Sequence, residues 1–118
     1  MTITVYGIPN CDSVKKARKL LDQRGVAYTF HDFKKSGVPD AELRRWVVRR
    51  GWETLLNRKG TTWRGLHDAL KQSVHDAESA IAVMLSHPST IKRPVVVAGA
   101  SLVIGVDADA LAALAALA

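Results

Sequence analysis

The segment Tyr6–Ser13, with the sequence YGIPNCDS, joins a short apolar strand pattern to a basic amphipathic helix pattern. It contains Cys11, the only cysteine of the chain, at the predicted start of the helix. Unpaired amide groups and the positive end of the helix dipole favour the thiolate there, which is the reactive form of cysteine. Lone cysteines are commonly small core residues, but turn-like segments on rigid scaffolds often carry function. We therefore predict that Cys11 is reactive.

The composition fits one domain in a reducing compartment. The chain has 118 residues, of which 47% are hydrophobic, enough for one core but not for a second domain of ordinary size. A single cysteine excludes an intramolecular disulfide. The sequence has neither a signal-peptide pattern nor an apolar run of the roughly 18 residues that a membrane span requires. We therefore expect a cytoplasmic protein that does not enter a membrane.

The charge is basic and unevenly distributed. Lys and Arg total 17 against 11 Asp and Glu, a formal net charge of +6, and every basic residue lies between Lys15 and Arg93. This balance suits a small anion, a nucleic acid or an acidic protein surface. Direct nucleic-acid binding is the least supported, because the basic residues are not interleaved with aromatic residues and no helix-turn-helix pattern is present.

The first part of the chain has a β-α-β pattern. Thr2–Tyr6 alternates polar and apolar residues and predicts a strand. The helix that follows carries its apolar residues on one stripe and ends at Gly25. A second strand is predicted at Val26–Phe33, ending before Gly37. Asp40 is the expected N-cap of the next helix.

The middle of the chain is predicted to be helical, and its last part has a β-β-α pattern. Apolar residues at helical spacing predict three short helices, at Trp52–Leu56, Trp63–Leu70 and Asp76–Leu85. Two β-branched runs, Ile91–Val97 and Leu102–Val106, flank a glycine-containing turn and predict a hairpin. Asp107 is the expected cap of a final helix.

Three segments resemble the arsenate reductase/Spx family, also called the ArsC family, and within it the YffB-like branch. They are Gly7–Asp12 (GIPNCD), Leu55–Arg64 (LLNRKGTTWR) and Ile91–Val97 (IKRPVVV). The resemblance covers essentially the whole chain. It implies an α/β fold of the thioredoxin-like class, a βαβ … ββα mixed sheet with a helical insertion at about residues 38–90, in a single domain of residues 1–118.

The resemblance also implies the site residues. Cys11 matches the nucleophilic cysteine of the family, and Pro94 matches the proline that is cis in thioredoxin-like folds. We associate six residues with substrate or glutathione binding: Arg93, Pro94, Arg58, Arg64, Asn10 and Lys15. Lys15 lies one turn from Cys11, where its charge can stabilise a thiolate. Asp12 is expected to cap the helix, which we favour, or to pass a proton to a leaving thiol.

Several positions depart from the family pattern. Gly7 stands where the arsenate reductases carry a histidine. Their two further arginines fall at Asn57, with Arg58 one residue later, and at or near Gly105. Fewer guanidinium groups weaken binding of a tetrahedral oxyanion, because each group offers forked donors. Val14 stands where Spx-like regulators carry the second cysteine of a Cys-x-x-Cys switch, so that switch cannot form.

We therefore expect a glutathione-dependent thiol oxidoreductase in which Cys11 forms a mixed disulfide that an external thiol resolves. Glutathione is the expected co-substrate, glutaredoxin is a further candidate partner, and neither a metal nor a nucleotide cofactor is expected. The histidines lack metal-like spacing with Cys11. Two alternatives stay open. One is a glutathione- or glutaredoxin-linked arsenate reductase, and the other is an Spx-like regulator that binds RNA polymerase through a basic patch with Arg49 and Arg50.

Overall fold

The computed structural model describes residues 2–117, which form two compact units. One unit comprises residues 2–36 and 93–117, and the other is Gly37–Lys92. Within the described residues, no helix combines the length and the hydropathy that a membrane span requires.

The chain forms four strands and eight α-helices within the described residues. In order they are β1 (Ile3–Gly7), α1 (Asp12–Gln23), β2 (Thr29–Asp32), α2 (Phe33–Ser36), α3 (Asp40–Arg50), α4 (Trp52–Leu55), α5 (Thr61–Arg64), α6 (Asp68–Ser73), α7 (Ala77–Ser86), β3 (Val95–Ala98), β4 (Ser101–Ile104) and α8 (Ala108–Ala116). A 3₁₀ turn at Pro88–Thr90 follows α7. This order confirms the predicted α/β pattern.

The four strands form one mixed sheet with the order β2-β1-β3-β4. β1 and β2 are parallel, whereas β1 and β3, like β3 and β4, are antiparallel. Helices α1 and α8 pack on one sheet face because the strands alternate apolar residues toward it. The buried residues of this core are Ile3, Val5, Ala17, Leu21, Val96, Ala98, Val103, Leu111, Leu114 and Ala115.

The helical unit has its own apolar centre. Helices α3, α4 and α7 contact one another, and their buried side chains include Leu43, Trp46, Leu55, Ile81 and Met84. Trp46, which is 3% exposed, is the largest side chain of this centre.

β2 is shorter than predicted at both ends. The amide of Val26 donates to the carbonyl of Leu21 at 3.2 Å, so this part of the expected strand completes the end of α1. At the other end, the Asp32 carboxylate accepts hydrogen bonds from the amides of Lys34 (2.9 Å) and Lys35 (3.3 Å). A side chain that binds the amides two and three residues ahead turns the chain. Residues after Asp32 therefore begin α2 instead of extending the strand.

The predicted helix Trp63–Leu70 is wrong as one element, because it is divided between α5 and α6. The amide of Gly65 donates to the carbonyl of Thr61 at 3.0 Å and ends α5. The predicted strand Ile91–Val97 also begins late. Ile91 forms only an isolated bridge to Leu56, and the strand starts at Val95, after a proline that has no amide hydrogen.

Of the two helix caps predicted after the first helix, Asp40 and Asp107, the first is wrong. The cap residue of α3 is Pro39, and Asp40 is the first helical residue, with its carboxylate paired to Arg44 at 2.8 Å. Asp107 does cap α8, since its carboxylate accepts from the amide of Ala110 at 3.0 Å.

Gly7, the last residue of β1, makes room for Val14 of α1. A Cβ atom built on Gly7 would lie 2.7 Å from Cγ2 of Val14. Val14 is fully buried and β-branched, so its side chain cannot turn away easily. A histidine in place of Gly7, as the arsenate reductases of the family carry, does not fit without rearrangement.

We expect Gly7→Ala to lower the free energy of unfolding by about 1–3 kcal/mol, because the added methyl group overpacks the core. Val14→Ala removes both atoms that crowd the new methyl group. The double variant Gly7→Ala/Val14→Ala should therefore be more stable than the sum of the two single losses indicates. Urea unfolding of all four proteins measures this coupling. Strict additivity would contradict the close packing.

Helix α7 begins with a capping box. The Asp76 carboxylate accepts hydrogen bonds from the amide of Ser79 at 2.9 Å and from its hydroxyl at 2.7 Å. The Ser79 hydroxyl in turn accepts from the amide of Asp76 at 3.1 Å. These bonds, the one from the hydroxyl first, lower the pKa of Asp76 below its ordinary value of 3.8, and the charge of His75 lowers it further.

We expect Asp76→Ala to lower the melting temperature by a few degrees at neutral pH, because a helix cap is lost. Because the pKa of Asp76 is lower in the folded protein, its carboxylate stabilises the fold fully at pH values above its ordinary pKa of 3.8. This stabilisation is lost as the pH falls through the lower pKa of the folded state. The difference between wild type and variant should therefore shrink at strongly acidic pH. Thermal unfolding followed by circular dichroism across pH measures it, and a difference independent of pH would contradict it.

Candidate active site

Cys11 is the N-cap residue of α1. Its backbone is extended (φ −136°, ψ 125°), and its carbonyl accepts from the amide of Lys15 at 2.9 Å, the first helical bond. The thiol is free and half-buried, and the Cys11 side chain makes no capping hydrogen bond. First-turn amides without such a bond can stabilise an anion. The structure thus places the sulfur at the start of α1, as predicted from the sequence.

The residues that flank Cys11 are exposed: Asn10 and Asp12 next to it, and Lys15 in the first turn. The interpretation of Asp12 as the helix cap is wrong, since the cap position belongs to Cys11 and Asp12 is the first helical residue. A carboxylate in the first turn still interacts favourably with the helix dipole. Asp12 therefore supports the helix by its charge.

The strand register brings Arg93 and Pro94 to the end of the β1-β3 strand pair from which the Cys11 loop leaves. Tyr6 of β1 pairs with Val95 of β3 in antiparallel orientation. Residues after Tyr6 and residues before Val95 therefore continue from the same end of this strand pair. The Arg93-Pro94 peptide bond is cis, as the family resemblance implies. Pro94 is buried, and its carbonyl accepts from the amide of Gly105 at 2.8 Å.

The guanidinium group of Arg93 is the most unusual feature at this end of the strand pair. Its Nε and Nη1 atoms are buried, and neither has a hydrogen-bond partner among residues 2–117. Arg93 as a whole is half-buried, and buried donor atoms without partners are costly. Such a group is suited to bind the carboxylate or oxyanion of a ligand.

Gly105 lies at or near the position of an oxyanion-binding arginine in the family's arsenate reductases. It has a φ of 81° and follows β4. This backbone conformation favours glycine, so an arginine there would be strained. The backbone amide of Gly105 is already bonded to Pro94. The absence of an arginine at this position therefore follows from the backbone conformation of the turn that holds Pro94.

The other predicted arginines lie in the helical unit and have different surroundings. Arg64 donates from Nη2 to the carbonyl of Lys59 at 2.8 Å and so stabilises the segment between these two residues. Arg58 lies with its guanidinium carbon 5.4 Å from the centre of the Trp52 ring and with Nη2 3.8 Å from Glu53. Of the two, Arg58 is the better candidate for a ligand contact.

Trp52 is half-buried and contacts Arg58. Asn57, which stands at another arginine position of the family, has a structural role. Its amide donates to the carbonyl of Thr90 at 2.8 Å, and its side-chain oxygen accepts from the amide of Lys59 at 3.2 Å. Asn57 therefore shapes the turn that presents Arg58.

Sequence reasoning missed an aromatic group at the carboxyl ends of β1 and β2. The ring of Tyr6 lies 5.1 Å from His31 and 6.3 Å from Phe33, and the rings of His31 and Phe33 are 6.0 Å apart. Tyr6 and His31 are direct partners across the parallel strands. The alternating pattern of both strands was visible in the sequence, but the register that pairs these two residues was not. No group of three or more His, Cys, Asp or Glu among the described residues could hold a metal ion.

A four-stranded mixed sheet of this order, with a cysteine opening the first helix and a cis proline before the third strand, defines a protein of the thioredoxin-like fold. Residues 6–114 match the model of the ArsC family. The chain therefore belongs to the ArsC family, as predicted from its sequence.

Similar proteins cover most of this chain. The solved structure of the YFFB protein is 49% identical, has a TM-score of 0.91 and covers 96% of this chain and 98% of its own. An uncharacterised protein of Haemophilus influenzae is 39% identical over 103 residues, which are 87% of this chain and 90% of that protein. An arsenate reductase of Rhizobium meliloti is 29% identical over 100 residues, 83% of this chain and 70% of its own.

We expect Arg93→Met to keep or raise the melting temperature of the ligand-free protein. Methionine keeps much of the apolar stem and removes two buried donor atoms that have no partner in the described structure. Arg64→Met is the matched control, and it should lower the melting temperature slightly because it removes the bond to Lys59. Differential scanning calorimetry measures both. A clear loss of stability in Arg93→Met alone would contradict the unpartnered state of its guanidinium group.

Proposed function

We propose that this ArsC-family protein is a glutathione-dependent thiol oxidoreductase and that Cys11 is its single nucleophile. The observation that carries the proposal is that Cys11 and Arg93 lie beyond the same end of the paired strands β1 and β3. A half-buried thiol at a helix start can act as a nucleophile, and a guanidinium group with two buried, unpartnered donor atoms can bind an anion. A cytoplasmic location, where glutathione is kept reduced, is part of the proposal.

The proposed reaction is the reduction of a mixed disulfide between glutathione and a second thiol. The Cys11 thiolate attacks the glutathione sulfur, a new sulfur–sulfur bond forms, and the second thiol leaves as a thiolate with the electron pair of the broken bond. The thiolate of another glutathione then attacks the sulfur of the bound glutathionyl group. This step releases oxidised glutathione and returns Cys11 as a thiolate, so that one cysteine suffices.

The basic residues have distinct proposed roles toward glutathione, which carries two carboxylates. Arg93 binds one carboxylate with forked donors. Lys15 adds positive charge beside the thiolate. Asn10, which precedes Cys11, and Pro94 are proposed to position the tripeptide, while Arg64 supports the loop that carries Arg58. Glutaredoxin is the proposed protein partner when the attacking thiol is not glutathione itself.

Arsenate reduction is the second candidate, and the name of the Rhizobium meliloti relative favours it. Three features of this chain weigh against it. Gly7 leaves no room for a histidine, Asn57 shapes a turn, and Gly105 has a backbone conformation that an arginine resists. A regulatory role of the Spx type is less supported still, because the second position of its redox switch is the buried Val14.

We expect oxidised glutathione to add one glutathionyl group to the wild-type protein and none to Cys11→Ser, as measured by intact mass. Reduced glutathione should then remove the adduct. In a coupled assay with a small glutathione mixed disulfide, Arg93→Met should lower kcat/KM at least tenfold, mainly through KM, because a carboxylate contact is lost.

Lys19→Glu is the control for a general effect of charge, since Lys19 is exposed on α1 and has no proposed role in the reaction. An adduct that reduced glutathione cannot remove, or full turnover by Cys11→Ser, would overturn the proposal. Glutathione-dependent arsenate reduction faster than reduction of the mixed disulfide would favour the second candidate.

A further inference from the structure

A basic cleft lies within the helical unit, lined by Arg58, Lys59 and Lys92 together with Glu53 and Asn57. Its volume of about 320 Å³ is at the lower end of the roughly 300–1,000 Å³ of small-molecule sites. Three cations thus face one carboxylate.

The backbone of the basic cleft is held by hydrogen bonds on both sides. The amide of Lys59 donates to the side chain of Asn57 at 3.2 Å, which fixes the turn. The amide of Lys92 donates to the carbonyl of Leu55 at 2.7 Å. The two lysines therefore start from backbone positions that are tied to the same segment of the helical unit.

Arg58 is oriented more strictly than a freely solvated arginine. Its guanidinium carbon lies 5.4 Å from the centre of the Trp52 ring, within the range of a cation–π interaction. Its Nη2 atom is 3.8 Å from Glu53, a long ion pair between two half-exposed side chains. Such a pair contributes little and leaves most of the arginine's donors available.

The charge of the basic cleft is not balanced within the described structure. Glu53 is the single carboxylate that lines it, and neither Lys59 nor Lys92 forms an ion pair among residues 2–117. Like charges gathered at one cleft repel one another, and a bound anion relieves this repulsion. The excess of two positive charges matches a dianion.

We propose that the basic cleft binds a small dianion, either a phosphate group or a pair of carboxylates. Arg58 offers forked donors to two oxygens of one group, and the lysines act as point charges beside it. This inference extends the proposed glutathione role of Arg58 to a cleft that also contains Lys59 and Lys92, and no step of it uses Cys11. It assigns a ligand class to Lys59 and Lys92, which have no role in the thiol chemistry.

The test is a titration of the full-length Cys11→Ser protein with inorganic phosphate, followed by amide NMR shifts. Removing the thiol keeps the result independent of the redox proposal. We expect saturable shifts at residues 53–59 and 92. Lys59→Glu and Lys92→Glu should each weaken binding at least tenfold, and Lys59→Gln should weaken it less.

Lys19→Glu makes the same change in net charge on α1 and should bind phosphate like the parent protein. Chloride at the same ionic strength should not produce the saturable shifts. Equal weakening in all three charge reversals, or shifts that chloride reproduces, would overturn the proposal, since both indicate only a general attraction of anions to a basic protein.

Reduced glutathione, added to the phosphate-bound protein, distinguishes the two sources of the dianion. Displacement of phosphate with the same dependence on Lys59 and Lys92 would support the proposal with the tripeptide's carboxylates as ligand. Saturable phosphate binding that glutathione does not displace would support it with a phosphate-bearing ligand. Either result stands whether or not Cys11 proves to be a catalytic residue.

Discussion

The antiparallel pairing of β1 with β3 is the constraint on which the candidate active site depends. Cys11 and Arg93 are distant in the chain, and the register that pairs Tyr6 with Val95 brings both to the same end of the β1-β3 strand pair. The register is fixed by burial, because Val5 and Val96 are both fully buried in the core beneath α1 and α8. A slip of one residue would turn these side chains to the opposite face. The hydrophobic core therefore sets the position of Cys11 relative to Arg93.

The contact between Gly7 and Val14 links two departures from the family pattern that look independent in the sequence. The chain leaves β1 at Gly7 and begins α1 at Asp12, so strand and helix must approach closely. Val14 fills the space that a side chain at Gly7 would need. The missing histidine and the missing second cysteine are thus parts of one packing arrangement. The same arrangement leaves Cys11 as the single thiol at the helix start, which suits a reaction that an external thiol completes.

Periodicity and turn residues were enough to predict the order of elements and the place of Cys11. The alternation of β1, the apolar stripe of α1 and the glycine-containing turn after β3 are local signals, and the structure confirms all three. The predicted ends of elements and the predicted caps were less accurate, because local hydrogen bonds and turn geometry decide them. Asp32 captures two amides and starts α2 where alternation favoured more strand, and Cys11 occupies the cap position expected for Asp12. The basic cleft was not predicted, because Lys59 and Lys92 are far apart in sequence and only the fold brings their two segments together.

The environments of the three candidate arginines separate roles that the sequence alone left equal. The guanidinium group of Arg64 is bonded to the carbonyl of Lys59, so it already has a structural partner. Arg58 is half-exposed, rests against Trp52 and retains donors for a ligand. The buried atoms of Arg93 have no partner in the described structure, and burial without a partner is a cost that stability alone does not explain. Such a cost is expected where a binding site is prepared for an anion before the anion arrives. For this reason we assign the principal ligand contact beside Cys11 to Arg93.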